Sequence, residues 1–371
     1  MASYKMARLF SQLRLRGAVL RNRIGLSPMC QYCARDGMAD DWHLVHYGSM
    51  AVGGVGMLIV EATAVAPEGR ITPYDLGLWN DEQAAALSRI AGFSARHGCI
   101  PAIQLSHAGR KGSRSQNHGL EKQRLLLPGQ GGWTVVAPSA IAHDDEYAIP
   151  VELTLRDIQQ IPEDFASAAG KAIDAGFQAV EIHAGHGYLL HQFMSPLSNL
   201  RNDQYGGSFE NRVRLACQVI ERLRERLPDH VPLLMRFSAT DEVVGGWTID
   251  ESCRFAALAR SLGVDLIDVS TGGITSHDKN PMVAGYLAEF SSRIRNEGAV
   301  PTSTVGLITS PEHADKLIRD GHADMILIGR EMLRNRCWPA DAARKLGESA
   351  YCPAQYARAS PQEGVNRGGA S

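Results

Sequence analysis

Short runs rich in Val, Ile and Leu recur along the chain, and most are followed by a stretch in which apolar residues return with helical spacing. Eight stand out: Ile24 to Leu26, Met57 to Val60, Ala102 to Leu105, Ala179 to Ile182, Leu233 to Phe237, Leu266 to Val269, Thr302 to Val305 and Met325 to Ile328. They lack the strict alternation of a half-exposed antiparallel sheet and read as parallel strands covered on both faces. Eight consecutive βα units predict an α/β fold, the closed (β/α)8 TIM barrel. The helices between them carry their own signals. Thr154 with Asp157 three residues on resembles a capping box, an apolar stripe runs from Ile158 through Phe165 to Ile173, and Gly176 stops it. The same logic predicts helices over Asp250–Leu262, closed by Gly263, and Pro311–Ile318, closed by Gly321.

Between the third strand and Thr154 lie roughly 40 polar, Gly- and Pro-containing residues, far more than the usual 2–6-residue βα loop. This reads as an insertion over the barrel mouth, centred on residues 115–150. Residues 1–350 form the expected barrel domain. Residues 351–371 form a C-terminal tail, poor in apolar residues toward its end, expected between subunits up to about residue 360 and flexible beyond.

Composition narrows the class of protein. With 44% hydrophobic and 21% charged residues among 371, and no apolar run near the ~20 residues a spanning helix needs, the chain reads as an ordinary globular protein without a membrane role. Lys and Arg number 38 against 40 Asp and Glu, a net charge of -2 that gives no reason to expect nucleic acid. The N-terminus has no secretory pattern and the seven cysteines are odd in number and scattered, so a cytoplasmic protein with reduced thiols is expected.

In a barrel of this kind chemistry gathers at the C-terminal strand ends. There stand Ser27-Pro28-Met29-Cys30, Glu61-Ala62-Thr63, Gln104, His183, Arg236, Ser270 to Gly273, Gly306 and Gly329-Arg330. Gly306, Gly329 and Arg330 follow strands seven and eight, where barrels frequently hold phosphate. The densest cluster is His183, His186 and Tyr188. A close histidine pair can ligate zinc, but this is not HExxH, and neither carboxylate nor thiolate follows at a persuasive spacing, so no metal is expected. Two imidazoles can instead polarise a carbonyl while a phenol delivers a proton. His191 reads as structural.

The segments SPMCQY (Ser27 to Tyr32), DWHLVHYGS (Asp41 to Ser49), EATAV (Glu61 to Val65), DLGLW (Asp75 to Trp79), HAGRK (His107 to Lys111), HGYLLHQF (His186 to Phe193) and SPLSNLRNDQYGGSFENR (Ser195 to Arg212) resemble the old yellow enzyme family. Within it they look like the thermophilic-like bacterial subgroup of ene-reductases and xenobiotic reductases, in order from about Leu9 to Arg358. The resemblance implies non-covalent FMN, reduced by NADPH or NADH, which then reduces C=C bonds conjugated to a carbonyl or nitro group, hydride leaving from flavin N5. On this likeness Ser27, Pro28, Met29 and Cys30 would line the flavin, Ala62 and Gln104 would contact its ring, and Arg236 would face its N1/C2 edge. Gly306, Gly329 and Arg330 would take the phosphate. His183 and His186 would bind the substrate oxygen, Tyr188 would donate the proton, Cys30 would modulate the potential and Tyr32 would bound the pocket. Arg358 in CPAQYARAS would reach the site of a neighbouring subunit in a homodimer or homotetramer. Departures from the subgroup are Gly185 in place of a common Ala, SHAGRKG at Ser106 to Gly112, AGYLAEF at Ala284 to Phe290, and the extra Cys33. Another FMN-barrel oxidoreductase, or a non-redox phosphate-binding aldolase or isomerase, is the alternative; an iron–sulfur dienoyl-CoA reductase is disfavoured because only Cys30 and Cys33 lie close in sequence.

Overall fold

The structure, a computed structural model, describes residues 7–116, 118, 122–276 and 283–359. Eight parallel strands close into a barrel in chain order: β1 Ile24–Leu26, β2 Met57–Ala64, β3 Ile100–Ser106, β4 Ala179–Ala184, β5 Leu233–Ser238, β6 Leu266–Ser270, β7 Thr302–Thr304 and β8 Met325–Ile328, with β8 pairing back onto β1. All eight predicted runs are these strands. Around them lie α1 Asp41–Val52, α2 Asp81–Arg96, α3 Leu155–Asp174, α4 Leu189–Met194, α5 Phe209–Arg226, α6 Ile249–Ser261, α7 Ala288–Glu297, α8 Pro311–Arg319, α9 Arg330–Arg334 and α10 Trp338–Lys345. The capping signals work as local chemistry requires: Thr154 and Asp157 satisfy each other's backbone N–H groups at the start of α3, and Thr248 and Glu251 do the same for α6. Among the described residues no helix is long and apolar enough to cross a membrane.

The molecule has two apolar cores. The larger lies between the strands and helices. The smaller fills the barrel's lower interior with Met57, Ile59, Ala102, Ala179, Leu234, Leu266, Met325 and Leu327, and it is closed from below by an antiparallel hairpin, Leu13–Leu15 with Ala18–Leu20. The sequence pattern does not predict this hairpin. Because side chains alternate along a strand, the residues two positions above the plug also point inward. They are polar: Gln104, Glu181, Arg236 and Asp268, all buried. The barrel is therefore apolar below and charged above.

The insertion lies at the upper end, as expected. The Arg110 guanidinium donates to the carbonyls of Ile141 and Ala142 at 3.1 and 3.3 Å and to that of Ile274 after β6 at 2.9 Å, so the insertion is bonded to the strand-end loops. The tail begins on its own barrel, where the Arg21 guanidinium lies 4.0 Å from the Tyr351 ring. It continues as a 3-10 turn over Ala354–Ala359; residues 360–371 lie outside the described residues.

Leu20 is fully buried in the plug. Leu20→Ala should cost about 2–5 kcal/mol and lower the denaturant midpoint, while cofactor uptake by the folded fraction stays stoichiometric because the plug and the strand ends are at opposite ends of the barrel. Equal loss of stability and of cofactor stoichiometry would show that the two ends are not independent.

Candidate active site

His183 lies at the end of β4, and the turn after it carries His186 and Tyr188 just ahead of α4. The turn is unusual: His186 adopts φ 55°, in the left-handed region, and Gly187 follows at φ 73°. Gly185 makes a close approach, since a Cβ there would sit 2.9 Å from the Ser238 backbone nitrogen on β5. Several contacts hold this conformation. Lys111 Nζ donates to the carbonyl oxygens of His186 and Gly273 at 2.8 and 2.9 Å. Gly187 N–H donates to His191 Nδ1 at 2.9 Å, and His191 Nε2 in turn meets buried Asp241 at 2.8 Å. His191 is therefore structural, as expected, and what it fixes is the turn that presents Tyr188.

The histidine ring nitrogens converge. Gly185 N–H points at His183 Nδ1 (3.3 Å), which leaves the His183 proton on Nε2, 3.2 Å from His186 Nδ1. His186 Nε2 bonds the Ser270 hydroxyl. Ser270 can donate or accept, so it supports either His186 tautomer. The Tyr188 ring lies edge-on to His183 at 4.9 Å, and the Lys111 ammonium is 5.4 Å from that ring. Burial holds both imidazoles well below the usual histidine range, with the Arg236 charge next in importance. Burial likewise raises the Tyr188 phenol and the Cys30 thiol, Cys30 being raised further by Asp75 and Glu61. Near neutrality the site offers neutral donors.

Tyr32 is half-buried with φ 51°, close to the half-buried Cys30 in the same strand-end segment. Arg236 faces Ser27 Oγ at 3.4 Å and Asp268 at 3.0 Å. A cavity of about 250 Å³ is lined by His186, Arg236, Ser270, Gly306, Gly329 and Arg330, together with Tyr286 and Arg334. The strand-end residues of β4 to β8 therefore meet as predicted. Gly306 has φ 117°, and a Cβ there would strike Tyr286 at 2.7 Å, so the strand-seven glycine is required by its backbone. Guanidinium groups around a narrow cleft with open backbone suit a phosphate, and the polar groups of β3 to β6 below suit a flavin's heteroatom edge. Ala62 and Gln104 are buried at the ends of β2 and β3. Arg358 is exposed on its own chain and does not line the cavity.

Lys111, Ser270 and Tyr286 join the site without having been singled out as site residues; Lys111 and Tyr286 lie inside the quoted motifs, but only tertiary contacts reveal what they do. Cys33 packs elsewhere, with Sγ 3.5 Å from His43 Nε2. Cys33, Asp40 and His43 have ligand atoms within 4.8 Å of one another. Asp40 meets Nδ1 of His43 while Cys33 meets Nε2, opposite edges of one ring, so the trio serves as the α1 cap with a half-buried thiol beside it. All seven cysteines are free thiols.

A barrel with this polar crown and anion cleft defines a flavin-dependent oxidoreductase. A family model described as the NADH:flavin oxidoreductase / NADH oxidase family matches residues 8–348. The chain is 44% identical over 356 residues to an NADPH dehydrogenase of Listeria monocytogenes, covering 95% of this chain and 99% of that one. It is 42% identical over 352 residues to an NADPH dehydrogenase of Geobacillus thermodenitrificans, covering 94% and 98%. Among solved structures, morphinone reductase superposes with a TM-score of 0.76 at 26% identity over 95% and 93% of the two chains. The old yellow enzyme homologue of Zymomonas mobilis superposes at 0.75 with 27% identity over 92% and 94%. The chain belongs to the NADH:flavin oxidoreductase / NADH oxidase family, with FMN as its cofactor, which removes the non-redox aldolase or isomerase alternative.

Gly185→Ala should push the turn off β5 and weaken binding of a phenol to the holoenzyme by on the order of tenfold, read as the titration of a long-wavelength flavin band. Unchanged affinity would mean that the turn absorbs the methyl group without moving the histidines.

Proposed function

We propose that the chain is an ene-reductase, reducing α,β-unsaturated carbonyl or nitro compounds with NADPH or NADH, and that Tyr188 is its proton donor. The observation that carries this reading is the convergence of His183 Nε2 and His186 Nδ1, 3.2 Å apart, beneath the Tyr188 ring. The printed names of the relatives, NADPH dehydrogenase and morphinone reductase, agree with it.

A carbonyl or nitro oxygen seated between the two rings accepts the hydrogen bond from His183 Nε2–H in place of the histidine–histidine bond. With the Ser270 hydroxyl donating to Nε2, His186 carries its proton on Nδ1 and donates to the same oxygen. Two neutral donors polarise the oxygen without protonating it outright, which favours negative charge as it develops. FMN supplies the hydride that goes to the β-carbon. The Tyr188 hydroxyl then delivers a proton to the α-carbon, and the phenolate is reprotonated from solvent; its high proton affinity keeps the acid loaded. Ser27 to Cys30, Ala62 and Gln104 would line the flavin, Arg236 would meet its N1/C2 edge, and Gly306, Gly329 and Arg330 would hold the phosphate. Cys30, as a thiol, would tune the potential and Tyr32 would bound the pocket.

Tyr188→Phe should slow reoxidation by an enone about 10²–10⁴-fold while leaving reduction by NADPH nearly intact, as resolved by stopped-flow absorbance. An equal fall in both half-reactions would make Tyr188 a structural residue.

The same reading gives Arg358 a site in a second subunit of a homodimer or homotetramer. Its support is exposure on its own chain beside Tyr356, itself 59% exposed. Co-expression of Tyr188→Phe chains with Arg358→Ala chains should restore activity in mixed dimers, since one of the two sites then holds both groups. Verified mixed dimers with no recovery would refute a shared site.

A further inference from the structure

Glu181 is fully buried, lies on β4 two residues below His183, and has no part in the chemistry above. Its Oε1 accepts a 2.8 Å hydrogen bond from Gln104 Nε2 on β3, whereas Oε2 is buried with no hydrogen-bond partner among the described residues. Below it lie only the apolar plug residues Ala102, Ala179, Leu234 and Leu266. The other ionisable groups of this layer are Arg236 on β5 and Asp268 on β6, and His183 stands above on β4. Arg236 Nε is 3.0 Å from Asp268 Oδ2, an ionic contact without hydrogen-bond alignment, and Ser303 on β7 donates to Asp268 Oδ1 at 3.0 Å.

The charges do not match if every acid is ionised. Two carboxylates with no exposure would share one guanidinium, the only one of the three groups that reaches the cavity, and Glu181 would hold a bare anionic oxygen away from water. A buried charge with neither partner nor solvent costs several kcal/mol and is normally removed by protonation. Asp268 has the guanidinium and the Ser303 hydroxyl; Glu181 has one amide.

We propose that Glu181 is kept as the neutral acid and serves as a positioning residue for the flavin, engaging the Gln104 amide nitrogen so that its oxygen is left for the ring, while Asp268 alone balances Arg236. The inference rests on the FMN reading of Gln104 and Arg236. Arg236 then keeps one counter-charge rather than two, so its field remains available to a cofactor that gains negative charge on reduction. The layer also has a titration of its own: burial first, then the Asp268 charge, pushes the Glu181 carboxyl up to about 8, partly offset by Arg236 and by the Gln104 hydrogen bond. Below that pH the acid is neutral. Above it the proton passes to solvent and a second negative charge appears under the flavin, disfavouring reduction.

Glu181→Gln preserves shape and the acceptor while fixing neutrality. Spectroelectrochemical titration of the FMN-loaded wild type and variant should therefore give matching potentials at pH 6–7, with less than a threefold difference in the reduced-to-oxidised ratio at fixed poise. Above pH 8 the wild type should fall progressively below Glu181→Gln. A tenfold or larger difference already at pH 6, about 30 mV for a two-electron couple, would mean that Glu181 is ionised throughout and would overturn the proposal. So would wild-type and Glu181→Gln profiles that stay parallel through pH 9, since buried Glu61, also pushed up to about 8, is common to both. Glu181→Ala, which loses the anchor of Gln104, should bind FMN on the order of tenfold more weakly than Glu181→Gln; equal affinities would remove the positioning role.

Thermal unfolding tests the protonation state without the flavin. A carboxyl raised in the folded state destabilises it progressively as pH climbs from the ordinary carboxyl range to about 8. The melting-temperature advantage of Glu181→Gln should widen from pH 5 to 8 and then level; a flat difference would count against the neutral acid. If the chain took up no FMN, the FMN reading would fall while this arm still decided on Glu181. Should Glu181→Gln not fold, the infrared carboxylic-acid C=O band that bleaches between pH 7 and 9 should be larger in the wild type than in Glu181→Ala, which retains buried Glu61; equal bands reject the proposal.

Discussion

A guanidinium inside a barrel is tolerable only with its counter-charge in place, and the Arg236–Asp268 contact at 3.0 Å is the constraint on which the upper half of this molecule depends. Removing one partner of such a pair costs about 3–5 kcal/mol, because the survivor is left charged and unsolvated. The pair therefore polices register. Asp268 faces Arg236 across β5 and β6 and Ser303 across β6 and β7, so a slip of one residue would send the charge into the apolar helix layer. The apolar plug contributes from below by excluding water and leaving these polar groups no partner but each other. What Arg236 can offer a ligand above is thus settled by the strands beside and beneath it.

The turn after β4 stores strain that its surroundings offset. A histidine at φ 55° is disfavoured by roughly 1–3 kcal/mol and persists where neighbours over-determine it. Here the neighbours come from three directions: Lys111 from the β3 loop, Gly273 from the β6 loop, and the His191–Asp241 pair from α4 and the β5 loop. One ammonium holding two carbonyl oxygens couples the β4 and β6 loops mechanically. The Tyr188 phenol that follows this turn is thereby held from several sides.

Much of this was legible because the βα repeat writes itself in short range. The eight strands, α3 and α6 with their capping boxes, and the residues at the strand ends follow from hydrophobic runs and from chemistry within three or four positions in the chain. What stayed hidden is long-range. Lys111 meets its two acceptors across 75 and 162 residues, and Glu181 meets Gln104 across 77. No local pattern marks such a lysine as a clamp, or a glutamate inside a strand run as an internal acid. The hairpin over Leu13 to Leu20 escaped for another reason: its three-residue strands are joined by a tight turn with no helical stretch after either, so the βα repeat does not mark them. Arg358 illustrates the remaining limit, since a role in a second subunit is invisible in the contacts of one chain.

The pocket's proton affinities share one cause, and this has a bearing on its chemistry. Burial is the leading influence on His183, His186, Tyr188, Cys30 and Glu181, and in every case it favours the neutral form. Against this neutral background Arg236 and Lys111 bring positive charge to the two imidazoles. Such an environment favours negative charge placed within it. It is well suited to an anionic cofactor phosphate, to a ring that becomes electron-rich when reduced, and to an oxygen that gains charge during reaction. The field and the two imidazoles therefore favour any ligand group that can carry such charge.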